Sequence, residues 1–324
     1  MANYYVAWWN LENLFDIDTS AARPAWLQQK LASELQGWNA QVLGQKIVRL
    51  TSVIARMNNA AGPDLLGVCE VENQPVMAQL VTALNALGLP GRNYQVAHHD
   101  TQDQRGIDVA FIYDSNRLEA HEQFFHVILK REATRDLFQV NFKTKPAGRD
   151  LVAVGNHWPS RLGGQYESEP YRIVAAETLA YWIKRIQEIK GPNVAIVVMG
   201  DFNDEPADRS LKDYALSTPS RQKVLRTTTA PRLLNLMWQE MATGIGSHYF
   251  DNFPNMLDQF LVSKGFLQPA GPFQLVDNSV EVVRFPDMLQ GQYQVPRRFG
   301  RPSSGLDAAG FSDHFPIGMV ISET

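Results

Sequence analysis

The stretch VAIVVMGDFNDEP, Val194–Pro206, carries six apolar residues into Gly200 and then the polar cluster Asp201-Phe202-Asn203-Asp204-Glu205. A β-branched apolar run of this kind reads as a strand, and having no polar face implies cover on both sides. Asp and Asn after a glycine are ordinary turn formers, so the motif taken alone says little about function. Its recurrence says more.

WWNLEN (Trp8–Asn13) ends an apolar strand in Asn10 and Glu12, and LLGVCEVEN (Leu65–Asn73) ends another in Glu70 and Glu72. RGIDVAFIYD (Arg105–Asp114) opens a strand with Asp108 on the face opposite Ile107, Val109 and Phe111. VGNHWPSR (Val154–Arg161) ends in Asn156 and His157, NMLDQFLVS (Asn255–Ser263) opens with Asp258, and GFSDHFPIG (Gly310–Gly318) opens the last strand with Asp313 and His314. Apolar strands thus repeatedly carry carboxylate, carboxamide or imidazole groups at their ends. Oxygen donors without cysteine suit Mg²⁺, Mn²⁺ or Ca²⁺ better than structural zinc. Histidines among carboxylates suit acid–base work near neutral pH.

Helical periodicity falls between the strands. Gln41–Met57 places Val42, Ile47, Leu50, Val53 and Ile54 roughly on one face, and Pro75–Leu87 is a second candidate. Tyr171–Ile189 is the clearest, with Ser168 expected as its N-cap and Glu169 and Pro170 in its first turn. Doubly apolar strands with amphipathic helices imply two packed sheets with helices outside. No repeat, low-complexity tract or linker divides the chain, so residues 1–324 are expected to form one catalytic domain.

Composition bounds the function. Net charge is −4, so no overall basic field draws polyanions, and a local patch or a bound metal would have to supply one. The lone Cys69, among Leu66, Gly67 and Val68, rules out an intrachain disulfide framework and reads as a buried thiol. No apolar run approaches the length of a membrane span, and MANYYVAWWN lacks the layout of a signal peptide. A cytoplasmic protein is the default expectation, secreted or periplasmic if a leader was removed.

Taken in order, WNLENLF, GVCEVEN, RGIDVAFIYD, GNHWPSR, GDFNDEP, LDQFLVS and SDHFPI resemble the motif series of the endonuclease/exonuclease/phosphatase superfamily, over about residues 4–321. The resemblance implies a four-layer α/β/β/α sandwich of two mixed sheets, with the site at one end. It places Asn10 and Glu70 on a divalent metal, Mg²⁺ or Mn²⁺ with Ca²⁺ possible, with Glu12 nearby and Asp313 a further metal or water ligand. Asp201 and Asn203 would contact the attacking water and the scissile phosphate. His314 would act as base or phosphate ligand, oriented by Asp258. His157 falls where deoxyribonuclease-like members place a second catalytic histidine, and Asp108 where they place its carboxylate partner.

The histidine in NHWPS, where apurinic endonucleases present Tyr and Asn, favours the deoxyribonuclease-like and bacterial nuclease branches. The inositol phosphatase signature PAWTDR is absent near Asp258. Arg105, Arg161 and Arg172 are candidates to clamp a phosphate. Arg297, Arg298 and Arg301 form a basic cluster in Phe285–Phe311, a segment rich in proline and glycine that is expected to be a long loop. Trp8, Trp9 and Trp158 read as core or rim packing rather than base-stacking residues. The leading expectation is an endonuclease of low sequence specificity acting on DNA or RNA. The alternative is a phosphatase or phosphodiesterase acting on a small or lipid-linked phosphate ester. An inactive binding scaffold is disfavoured because every expected ligand position is filled.

Overall fold

The structure, a computed structural model, describes residues 2–131, 133–227 and 230–324. Its frame is two seven-stranded mixed sheets. The first is built from β1 (Asn3–Leu14), β2 (Leu65–Val71), β3 (Tyr94–His98), β4 (Asp108–Asp114) and the C-terminal strand Ile317–Glu323. Its order is Phe273–Leu275, Ile317–Glu323, β1, β2, β4, β3, with Glu281–Val282 also on the C-terminal strand. The second is built from β5 (Leu118–His126), β6 (Leu137–Thr144), β7 (Asp150–His157), β8 (Ala195–Asp201) and Asp258–Val262, extended by the short strands Leu233–Asn235 and Ser217–Thr218.

Side chains alternate across each strand, and both faces find apolar partners. From β1, Val6 and Trp8 point between the sheets and pack with Phe111, Phe138, Phe142, Val197, Met199 and Phe260. Ala7, Trp9 and Leu11 point the other way, toward α1 (Ala25–Leu31), α2 (Ala40–Ala60) and α3 (Gln74–Ala86). On the second sheet, Val152, Val154, Ile196 and Val198 turn outward onto Ala175, Ala176, Leu179, Ile183 and Ile186 of α4 (Gln165–Lys190). The result is a four-layer α/β/β/α sandwich. No described helix is long and apolar enough to cross a membrane. Cys69 is buried and free, and burial pushes its thiol pKa well up.

Helix boundaries follow their caps. Asn39 accepts from Gln41 and Val42 to start α2, whose helical backbone breaks at Met57–Asn59, and Asn73 accepts from Val76 to start α3. Helix α4 departs from the sequence expectation. It begins at Gln165 after Gly164, and Ser168 lies inside it rather than capping it. Ser168 Oγ donates back to the Gly164 carbonyl and accepts from Arg172 Nη1 at 2.7 Å. The segment expected as a long loop, Phe285–Phe311, instead holds the helical turn Pro286–Met288 and two short ladders, Leu289–Gln290 with Val295–Pro296 and Gly300–Arg301 with Gly305–Leu306.

Glycines on one sheet make room for side chains of the other. A Cβ on Gly155 of β7 would lie 2.5 Å from Val109 Cγ1 of β4, and one on Gly67 of β2 would lie 2.7 Å from Met199 Sδ of β8. By contrast, Gly44 in α2 has nothing within 4 Å of that position. Gly155→Ala should therefore lower unfolding stability by about 1–3 kcal/mol through overpacking. Gly44→Ala should raise it by roughly 0.5–1 kcal/mol. Urea titration followed by tryptophan fluorescence checks both; equal effects would show that the sheets have room to spread.

Candidate active site

Strand direction gathers the polar residues at one end. Strands β1 and β2 run parallel, as do β7 and β8, so their C-terminal residues Asn10, Glu70, His157 and Asp201 emerge on the same side. The antiparallel neighbours begin there. His157 pairs across to Asp201 and Asp201 to Asp258, while Asp313 and His314 immediately precede the strand that runs back along β1.

Asp258 is fully buried and accepts from Trp8 Nε1 at 2.9 Å and from His314 Nδ1 at 2.6 Å. The other ring nitrogen, His314 Nε2, lies 3.9 Å from Asp201 Oδ2, and His157 Nε2 lies 3.8 Å from the same oxygen. Asp201 accepts from Asn10 Nδ2 at 3.1 Å and from the Asn203 backbone at 2.9 Å. Glu70 Oε2 accepts from the Asn13 backbone at 2.9 Å, while Oε1 stands 3.7 Å from His157 Nε2. Asn203 Nδ2 donates to the Trp158 carbonyl. Trp8, Trp9 and Trp158 brace this end from within: Trp9 Nε1 donates to the His314 carbonyl and Trp158 Nε1 to Asn156.

The backbone is bent beside these residues. Glu12, Asn13, Glu70 and Asn203 all have φ between +49° and +59°, an uncommon conformation for non-glycine residues. Pairing slips between Cys69 and Val71 in β2, so Glu70 occupies a bulge that re-aims its side chain.

Burial and the surrounding charges set different proton affinities. Burial alone would depress His314, but the Asp258 charge and hydrogen bond, aided by Asp201 and Asp313, hold its pKa well above the imidazole value. His157 goes the other way, driven well down by burial and then by Arg135, Arg105 and His314. Asp201 is pushed up to about 6, first by burial and then by the Asp258 charge, against the pull of His314. The surroundings thus favour the charged form of His314 and the neutral form of His157, both beside Asp201.

Several residues expected at the site have other partners. Glu12 is not free to bind metal: it accepts from Arg298 Nε at 2.9 Å, from the Phe299 backbone at 2.8 Å and from the Gly300 backbone. Arg172 is no phosphate clamp, because it is fully buried and pairs with Asp204 at 2.7 Å. Arg161 is tied to the Asn203 carbonyl, Asp204 and Asp208. Arg297 pairs with Asp307, and Arg301 with Glu34. Of these arginines, Arg105 and Arg298 stay substantially exposed beside the acidic cluster, at 45% and 57%; Arg105 Nη1 lies 3.8 Å from Glu70. Asp108 is not hydrogen-bonded to His157. It accepts from Thr101 and lies 3.5 Å from His98 Nε2, leaving His157 Nδ1 without a hydrogen-bond partner among the described residues.

The structure adds two residues. Lys46 is fully buried, donates to the Glu12 carbonyl at 2.6 Å and stands 3.8 Å from the Glu12 carboxylate; burial lowers its pKa against the pull of Glu12 and Asp313. A lysine between Leu43 and Leu50 in the apolar stripe of α2 was a legible signal for it. His248 tilts against His314, ring centroids 4.6 Å apart, and its pKa is driven down to about 3 by burial and then by the His314 charge. Nothing in the sequence around His248 marked it.

The profile of the Endonuclease/Exonuclease/phosphatase family matches residues 5–323. Similar solved structures include a family member from Bacteroides thetaiotaomicron, 17% identical, covering 99% of this chain and 95% of that one, with a TM-score of 0.58. A mannosyl-6-phosphatase from the same organism is 17% identical over 98% and 99% of the two chains (TM-score 0.54). The catalytic domain of human Nocturnin with bound sulfate is 16% identical over 99% and 94% (TM-score 0.55). No curated protein matches the sequence.

The Asp258–His314 contact has a titration signature. With folded-state affinity above the unfolded value, His314 contributes stability fully present below about pH 6.5 and lost as pH rises through its folded pKa. In Asp258→Asn the opposing charge is gone and the burial remains, so the His314 pKa should fall and that contribution shrink or reverse. Ring-proton NMR titration of the metal-free protein reads this; an unmoved His314 pKa would assign the shift to other groups.

Proposed function

Given that the chain belongs to the endonuclease/exonuclease/phosphatase family, we propose that it is a divalent-metal-dependent phosphodiesterase, acting as an endonuclease of low sequence specificity. One observation carries the diesterase reading: His157 Nε2 and His314 Nε2 both face Asp201 Oδ2, at 3.8 and 3.9 Å, beside the Glu70 carboxylate. A diester needs a proton taken from water and another given to a leaving alkoxide. A pair of imidazoles held around one carboxylate offers both.

The donor set fits a hard divalent ion. Neither Glu70 Oε1 nor the Asp313 carboxylate accepts a hydrogen bond among the described residues, and the nearest cation–anion distances around Glu70 Oε1 are 3.7 and 3.8 Å. Glu70 and Asp313, with Asn10 Oδ1, would hold the ion. When bound, it offsets charge on the phosphoryl oxygens and lowers the pKa of water. The chain's own groups do the rest. His157, neutral, accepts the proton of the attacking water, which Asp201 and Asn203 orient. His314, charged through Asp258, directs Nε2–H at the phosphate or the departing oxygen. We take residues 1–324 as one catalytic unit.

A second reading, hydrolysis of a small phosphate ester, is favoured by the arginines. Arg161, Arg172, Arg297, Arg298 and Arg301 are all engaged in ion pairs, Arg298 with Glu12 at 2.9 Å, which leaves little unpaired positive charge to meet a polyanion. Assays of plasmid nicking, bis(p-nitrophenyl) phosphate and p-nitrophenyl phosphate, with Mg²⁺ or EDTA, separate the two. We expect plasmid and diester turnover in Mg²⁺ and none in EDTA; turnover of the monoester alone would select the second reading.

Glu70→Ala should abolish turnover at ordinary Mg²⁺ while leaving the circular dichroism spectrum intact, and full activity of this variant in EDTA would remove the metal. His157→Ala should cost on the order of 10²-fold or more in kcat on the diester. A wild-type rate would reduce the site to one working histidine.

A further inference from the structure

Asp108, freed from the pairing expected for it, belongs to a second constellation. Donor atoms of His98, Asp100 and Asp108 all lie within 4.8 Å of one another. The His98 side chain is 1% exposed, yet its Nε2 has no hydrogen-bond partner among the described residues. That nitrogen lies 3.5 Å from Asp108 Oδ2, and Nδ1 lies 3.8 Å from Asp100 Oδ1. Thr101 occupies the other Asp108 oxygen through its backbone and hydroxyl, so Oδ2 stays open toward the imidazole. A buried imidazole nitrogen with nothing to bond is costly.

We propose that His98, Asp100 and Asp108 form a second divalent-cation site, for an ion that accepts imidazole together with carboxylate, Mn²⁺ or Zn²⁺. Ligands about 2.1 Å from a shared ion lie at most roughly 4.2 Å apart. With one nitrogen of His98 and one oxygen from each carboxylate within 4.8 Å of one another, a closure of roughly 0.6 Å brings them into range of one ion, and Asp100, 68% exposed, has the freedom to supply it. The donor set separates this site from the all-oxygen one: an imidazole selects Mn²⁺ or Zn²⁺ over Mg²⁺ or Ca²⁺.

Asp108 sits opposite Val71, one residue beyond Glu70 on the neighbouring strand. The two sites would therefore stand side by side at the same end of the sheets; the dialysis counts rest on the metal site proposed around Glu70, whereas the ¹⁴N coupling to His98 does not.

Equilibrium dialysis of the full chain against Mn²⁺ tests it. Wild type should bind two equivalents, Glu70→Ala one, and His98→Ala one. Asp100→Asn, changed at an exposed position that should not disturb folding, should weaken one equivalent by at least about tenfold. The Mn²⁺ retained by Glu70→Ala should show ¹⁴N coupling in pulsed electron paramagnetic resonance, absent from Glu70→Ala/His98→Ala. Unchanged Mn²⁺ binding in Asp100→Asn, or one wild-type equivalent that Glu70→Ala removes entirely, would overturn the proposal.

Discussion

Asp258 is the carboxylate that joins the two halves of the molecule at its functional end. It belongs to the second sheet, yet its hydrogen bonds reach Trp8 on β1 and His314, which enters the strand beside β1. A fully buried charge is tolerated when paired and hydrogen-bonded, and strongly destabilising when one partner is removed. The same contact ties the two sheets together at this end and favours the charged form of His314. Site geometry and sheet packing are thus coupled through one side chain.

Around that contact the strand ends concentrate negative charge. Asp201, Asp258, Asp313 and Glu70 converge within a chain whose net charge is already −4. Burial first, and then that crowding, raises the Asp201 pKa, and positive charge is what relieves it. Part of it comes from inside the protein, through His314 and the buried Lys46. Bent backbone at Glu12, Asn13, Glu70 and Asn203 belongs to the same arrangement, since residues held in uncommon conformations persist where the surrounding structure over-determines them.

The layers were legible in the sequence because the strands are apolar on both faces, and that requires a cover on each. The convergence of strand ends was legible for a related reason: polar groups closing an apolar run have few places to go. What escaped was decided by contacts between residues far apart in the chain. Ser168 has the chemistry of an N-cap, but Arg172 and the Gly164 carbonyl claim its hydroxyl. The arginine cluster at 297–301 looks like a basic patch until Asp307 and Glu34 appear opposite it. Glu12 looks like a ligand until the Phe299 and Gly300 amides are found on its oxygens. Asp108 lies where a partner for His157 was expected, and the register of β3 against β4 brings His98 to it instead.

The pairing of β1 with Ile317–Glu323 has a consequence for how the chain is made. Val6 and Trp8 meet Met319 and Ile317 across that ladder, so the strand that carries Asn10 lacks one neighbour until the far end of the chain has been synthesised. At about 5–20 residues per second, the ribosome holds the first strand waiting for roughly 15–60 s. During that interval two tryptophans and the edge of the first sheet are open to solvent or to a chaperone. Folding speed in such a topology is set by closure between distant segments. A nascent chain stopped short of His314 has neither that imidazole nor the strand that pairs with β1.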